Sequence, residues 1–204
     1  DEIVALTKKH NIFEWSAQAK VDPIPVAKAK GVYFWTPEGK RFLDFNSQLM
    51  CVNVGHGNER IIRAIQEQVA TLAYAIPLMA TEPRARLGAK LADITPGDID
   101  TFFFTNGGAE ANENAIRIAR LYTGRQKILS RYRSYHGGTA GALTLTGEPR
   151  RWPSEPGIPG IVHFMDPYHG IQRGWDSIDV ALTYLEEVIQ LEGPQTIAAV
   201  IIEP

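Results

Sequence analysis

The sequence of 204 residues holds a single cysteine, Cys51, so no disulfide can form within it. That excludes the small, disulfide-stapled secreted folds and makes a reducing cytoplasm the expected compartment. Neither sign of charge dominates: 21 basic residues against 23 acidic ones leave a formal net charge of −2. The balance removes the electrostatic case for nucleic acid or an anionic membrane as partner. Long apolar runs are missing too. The best candidate, "TLAYAIPLMA" (71–80), is too short to span a bilayer and contains Pro77. The start, "DEIVALTKKH", is charged and has no signal-peptide core. Internal repeats and low-complexity tracts are absent. So are G-x-x-x-x-G-K-[ST] and G-x-G-x-x-G, the two common nucleotide cradles, as well as the G-x-S-x-G nucleophile elbow and the H-E-x-x-H zinc pair.

What remains is the composition of an ordinary globular protein, 44% apolar and 22% charged. Residues 1–20 read as a short polar helix or arm carrying Trp15. "GVYFWTPEGKRFLDF" (31–45) is a hairpin, with Pro37 and Gly39 where a tight turn wants them. "NERIIRAIQEQVATL" (58–72) sets Ile62, Ile65, Val69 and Leu72 on one helical face, with Asn58 as its cap, and 81–94 repeats the pattern with Leu87, Leu91 and Ile94. From Thr101 onward apolar strand candidates (101–105, 127–132, 160–166, 196–204) alternate with helices. That rhythm predicts a parallel sheet covered on both faces. One helix, within 177–194, carries Ala181, Leu185, Val188 and Ile189 on one face and is stopped by Gly193-Pro194. "EPRRWPSEPGIPG" (148–160) reads as a surface loop. The division falls near "TPGD" (95–98): a helical and hairpin segment up to about residue 100, then an α/β sheet.

The most informative stretch is "TFFFTNGGAEANENAIRIARLY" (101–122), a strand running through two glycines into a helix. Gly107 and Gly108 permit a sharp turn and close approach of a ligand, while the free amides and dipole of the helix start favour an anion. In the helix, Ala111, Ala115, Ile118, Ala119 and Tyr122 are the expected buried stripe, and Glu113 and Arg117 an i,i+4 pair. The glycines alone fit a ligandless turn as well as a seat for a cofactor phosphate, a sugar phosphate or a carboxylate. The next strand ends in Tyr135-His136-Gly137-Gly138, and in open α/β sheets ligands gather at the carboxyl ends of strands. Tyr135 and His136 are therefore expected beside the glycine turn, an aromatic surface next to an anion seat.

Taken in order, "LDFNSQLMCVNVGHGNERIIRAIQEQ" (43–68), "FFTNGGAEANENAIRIARLYTGR" (103–125), "SYHGGT" (134–139) and "IIEP" (201–204) resemble the N-terminal half of class III, pyridoxal-phosphate-dependent aminotransferases of fold type I. The details look most like ω-amino-acid:pyruvate transaminases, including the taurine–pyruvate type. The resemblance implies an α/β fold, a mostly parallel sheet flanked by helices. Residues 1–100 would be the N-terminal segment of the small domain with linker helices, and 101–204 the first part of the large cofactor-binding domain. It implies pyridoxal 5'-phosphate as cofactor, with Gly108 and Ala109 donating amides to its phosphate and Gly107 shaping the turn. Relatives often carry serine at positions 107 and 109, so this chain leans on main-chain donors. Tyr135 would stack on the pyridine ring with His136 beside it, and Glu203 would lie near ring and substrate. The family's ring-pairing aspartate and cofactor-anchoring lysine are expected beyond residue 204, since no lysine here matches. Met50 falls where these transaminases often place an aromatic, usually tryptophan, and Leu78 is implied to reach a partner subunit's site; with Trp15 they are the candidate substrate residues.

The implied reaction moves an amino group from an ω-amino acid or amine to a keto acid, pyruvate first, in a homodimer or higher homo-oligomer. An aminomutase or decarboxylase on the same fold, and a non-enzymatic phosphate-ligand binder, are the competing readings. Starting at Asp1 and stopping after an apolar run, the sequence is expected to belong to a longer chain, and alone to be inactive and to aggregate through the unpaired segment 101–105. His56 reads as a turn residue, His10, His163 and His169 have no evident partners, and Cys51 reads as a buried small hydrophobe. Trp152 and Trp175 serve packing or substrate contact equally well. Arg131, Arg133, Arg150 and Arg151 read as a solvated or interface surface.

Overall fold

The computed structural model describes residues 2–174 and 176–203; Trp175, Pro204 of the IIEP motif and the side chain of His169 lie outside the described residues. The chain divides into two compact units, Asp1–Asp100 and Thr101–Pro204.

The first unit begins with helix α1 (Glu2–His10). A three-stranded antiparallel sheet follows, β1 (Lys28–Lys30), β2 (Tyr33–Trp35) and β3 (Arg41–Leu43), in that order. The β2–β3 hairpin closes as its turn residues predict: Gly39 donates to the Thr36 carbonyl at 3.0 Å with φ +85. Phe34 and Phe42 are opposite in register and stack at 5.1 Å. Helices α2 (Glu59–Thr71) and α3 (Glu82–Ile94) match the sequence expectation, and the Asn58 side chain caps α2 by accepting the amides of Arg60 and Ile61. Their apolar faces are not buried: Ile62, Ile65, Val69 and Leu72 are 44–59% exposed, as is Leu87 at 47%. Every buried apolar core residue of the described chain lies in the second unit.

That unit is built on three parallel strands in the order β5-β4-β6: β4 (Lys127–Arg131), β5 (Ile161–Phe164) and β6 (Ile197–Ile201). β4 pairs on both sides, so it must be apolar on both faces, and its neighbours Ile128 and Leu129 point into opposite layers. Ile128 packs with Ile116 and Ala119 of α4 (Gly108–Thr123) and Leu145 of α5 (Ala140–Leu145). Leu129, Phe164 and Ile197 pack with Tyr184, Leu185, Val188 and Ile189 of α7 (Ile178–Glu192); the short α6 (Pro167–Gln172) precedes it. The face predicted for α7 is the one that packs.

The segment 101–105 is left unpaired, as expected: it forms no strand ladder with the described strands, and Phe103 stays 65% exposed. Two other expectations fail. Of the stripe expected to bury on α4 only Ala119 packs; Ile118 is 51% and Tyr122 91% exposed, because the helix turns Asn112, Glu113 and Ile116 inward instead. Glu113 and Arg117 do not pair: Glu113 reaches α5, and Arg117 donates to Asn114 at 2.5 Å.

Candidate active site

The site is built where the carboxyl ends of β4 and β6 meet the start of α4. Gly107 is extended (φ −163) and Gly108 opens the helix. A side chain added at either glycine would meet nothing within 4 Å, so their flank is open space. The amides of Gly108, Ala109 and Glu110 have no acceptor among the described residues, the state in which a helix start receives an anion. Glu110 turns back to accept the amide of Asn106 at 3.0 Å, which steadies the turn before the helix.

The segment after β4 closes onto this helix start. Gly137 (φ +134) comes so near that a Cβ there would sit 2.6 Å from the Cβ of Ala109. Only glycine allows that approach. Asn112 donates to the His136 carbonyl at 2.7 Å, and the Thr146 hydroxyl accepts the His136 amide at 3.0 Å. Glu113 carries the link onward by accepting the amides of Gly141 at 2.7 Å and Ala142 at 3.2 Å, at the start of α5. Those bonds, with Thr139, hold its carboxyl below the ordinary range, although burial, the largest single influence, pushes the other way.

His136 is buried, and its Nε2 meets no partner among the described residues. Burial lowers its pKa, opposed by the Glu203 carboxylate and reinforced by the charges of Arg131 and His163, so the imidazole is neutral. Glu203 accepts the Tyr135 amide at 2.7 Å, and its carbonyl takes Arg131 at 2.5 Å. The Arg150 guanidinium lies 4.1 Å from the centre of the Tyr135 ring, covering one face, and is itself held by Glu148. The structure thus brings Gly107, Gly108, Ala109, Tyr135, His136 and Glu203 into one neighbourhood.

The arginines expected as a solvated or interface surface make local contacts, and Arg133 is exposed. Arg133 lies over Tyr168 at 5.0 Å, and Arg151 pairs with Glu155 at 3.0 Å. His163 also has partners: it stacks on Tyr132 at 5.1 Å and faces the Leu145 carbonyl at 3.2 Å. Trp152 is 62% exposed.

In the first unit, Trp15 (51% exposed) sits in a turn after α1 at φ +51, and Leu78 is 93% exposed. Met50 ends a four-residue helical turn, Ser47–Met50, whose φ values of +51, +50, +56 and +62 are all left-handed. For L-residues such a conformation costs about 1–2 kcal/mol each. Cys51, expected to be buried, is exposed, because it follows directly on this outward-facing turn. Sequence reasoning missed Asn112 and Glu113, whose polarity marks them as surface, and also a pair between Asp44 and His56 at 2.6 Å.

The family model for class III aminotransferases matches residues 16–204. The chain belongs to that family. It is 42% identical to taurine:2-oxoglutarate aminotransferase from Bifidobacterium kashiwanohense, solved in complex with PLP and glutamate, with a TM-score of 0.91 over 99% of this chain and 47% of that one. It is 32% identical to the hypotaurine/taurine–pyruvate aminotransferase of Paracoccus denitrificans over 96% of this chain and 44% of that protein. A thermostable omega transaminase engineered for asymmetric synthesis of enantiopure bulky amines matches at 27% identity and a TM-score of 0.90, over 99% of this chain and 49% of that one. The chain spans about half the length of the curated relatives it matches. Fold type I, with its parallel sheet between helices, is the fold of this class III chain. Among the described residues no helix is long and apolar enough to cross a membrane.

Proposed function

We propose that the whole protein is a pyridoxal-phosphate-dependent aminotransferase that moves an amino group from an ω-amino acid or amine to a keto acid, pyruvate first. One observation carries the reading: Gly137 closes on Ala109, so that three unpartnered helix-start amides stand beside Tyr135 and a buried, neutral His136. Those groups fit a flat ring bearing a phosphate. The open flank of Gly107 and Gly108 admits the phosphate, and the amides of Gly108 and Ala109 donate to it. Tyr135 offers its aromatic ring as a stacking surface, and the orphaned His136 Nε2 gains a polar neighbour. Glu203, fixed through the Tyr135 amide, places its carboxylate at the ring side of the site. Bound there, pyridoxal phosphate supplies an electron sink for proton loss from the donor carbon. The residues of this chain orient and hold it.

In the same reading the second unit is the first part of the large cofactor-binding domain, and the first unit belongs to the small domain with linker helices. The protein acts in the cytoplasm as a homodimer or larger homo-oligomer. Met50, Leu78 and Trp15 face the substrate. The engineered bulky-amine transaminase carries methionine in place of a tryptophan and, 28 residues further on, leucine in place of a phenylalanine. Met50 and Leu78 present the same two residue types at the same separation in this chain. That supports a substrate pocket widened for bulky donors.

The test is a donor panel, taurine, putrescine and arylalkyl amines, against pyruvate and 2-oxoglutarate, using the whole protein incubated with pyridoxal phosphate. Alanine formation that depends on pyruvate is expected. Carbon dioxide release without a keto acid would replace the transaminase reading with a decarboxylase, and no visible cofactor absorbance would end both.

A further inference from the structure

Asp44 and His56 are both pinned to the turn between β1 and β2. His56 exchanges two backbone hydrogen bonds with Gly31, at 2.9 and 2.8 Å, and the Asp44 amide donates to the Val32 carbonyl at 2.8 Å. From these fixed positions His56 Nε2 meets Asp44 Oδ2 at 2.6 Å, with side-chain exposures of only 17% and 4%. A carboxylate can only accept, so Nε2 carries the hydrogen. The other carboxylate oxygen, Oδ1, accepts the amide of Gln48 at 3.2 Å. Gln48 is the second residue of the left-handed turn Ser47–Met50. The turn contains no glycine, so nothing in its own backbone favours this conformation; it persists because its surroundings hold it. Its internal bonds, Met50 amide to Asn46 carbonyl and Val52 amide to Ser47 carbonyl, both 2.9 Å, shape the turn without fixing it to the sheet. Asp44, aimed by His56, makes that connection. Met50, 71% exposed, is carried at the end of the turn.

We propose that Asp44 and His56 are positioning residues: they lock the Ser47–Met50 turn in its left-handed form and so set how Met50 selects among amine donors by size. The inference rests on the reading of Met50 as a substrate-pocket residue. In the whole protein, His56→Ala frees the carboxylate and releases the turn. Hydrogen exchange of the peptide covering 45–52 should then quicken by about tenfold or more, the worth of a hydrogen bond to a charged group, while β4 is unaffected. The ratio of kcat/KM for a bulky arylalkyl amine to that for a small linear amine should shift, with cofactor absorbance unchanged. His56→Gln, which keeps a donor toward Asp44, should restore much of both effects. Gln48→Gly in the His56→Ala background should also restore the ratio, because glycine holds a positive φ without strain. Unchanged exchange at 45–52 overturns the clamp. Equal loss on both amines overturns its role in selection. If His56→Ala fails to fold, His56→Gln against Asp44→Asn gives the same two readouts. A wild-type protein that transfers no amino group refutes the aminotransferase reading and with it the role in selection, while the exchange result still decides the clamp.

Discussion

The carboxylate of Glu113, on the helix that opens with the glycine turn, accepts the amide of Gly141 at 2.7 Å, at the start of the helix that follows Tyr135 and His136. One side chain thereby joins the two segments that frame the proposed cofactor seat. Its neighbour Asn112 makes the parallel link to the His136 carbonyl at 2.7 Å. Removing Glu113 leaves the first amides of a short helix without acceptors, so Glu113→Ala should cost about 1–2 kcal/mol. Chemical denaturation of the whole protein measures the loss, and hydrogen exchange should place it at 140–145. An unchanged exchange pattern there would remove the linking role.

The same carboxylate gives a pH signature. Its folded pKa lies below the ordinary 4.5, so its contribution is complete above that value and is lost as pH falls through the folded pKa. Exchange protection at 140–145 should therefore weaken below about pH 4.5 in the wild type. In Glu113→Gln the protection should start lower and change less over that range.

Histidine titration acts higher on the scale. Burial lowers the pKa of both His136 and His163; the charges of Arg131 and His163 add to the effect at His136, and that of Arg151 at His163. When unfolded, each takes up a proton near its ordinary 6.5, which the folded form resists. Stability thus rises with pH through this window and falls as pH drops below 6.5 toward the folded values. The slope of unfolding free energy against pH between neutrality and acid should be shallower in His163→Asn than in wild type. An equal slope would mean that His163 does not stay neutral in the folded chain.

Gly137 gives the sharpest steric test. A Cβ there would lie 2.6 Å from that of Ala109 and 3.0 Å from that of Ala142, at a φ of +134 that L-residues avoid. Gly137→Ala must push the Tyr135–His136 segment away from the helix start. A cost of about 1–3 kcal/mol is expected, with pyridoxal phosphate affinity reduced by about tenfold or more. Titration of cofactor absorbance checks the second figure; wild-type affinity in the variant would separate the cradle from the platform.

The elements that sequence reasoning found are those whose signals are local. The Pro37–Gly39 turn, the Asn58 cap and the packed face of Ile178–Glu192 each depend on residues a few positions apart. It misjudged the face of Gly108–Thr123 because Asn112 and Glu113 look like surface while making part-buried hydrogen bonds to the next segment, and because Ala111, Ala115 and Ile118 form an equally plausible apolar stripe. Asp44 and His56 meet across 12 residues of irregular chain, and the left-handed turn between them has no glycine to announce it. The residues proposed to hold the cofactor came from the order of four motifs, and the structure adds the closure of Gly137 on Ala109 between two of those motifs.

Substrate size tests the proposed pocket directly. Trading Met50 for tryptophan and Leu78 for phenylalanine restores the two aromatic types that the engineered bulky-amine transaminase replaced at the same separation. Both side chains are exposed, 71% and 93%, so neither change disturbs a core, and folding should be unaffected. Adding this volume to a pocket wall excludes large donors while leaving small ones room. For Met50→Trp with Leu78→Phe, kcat/KM for a bulky arylalkyl amine should fall by about 10–100-fold, with that for a short linear ω-amine little changed. Equal kcat/KM values for wild type and variant across the whole amine series would place both residues outside the pocket.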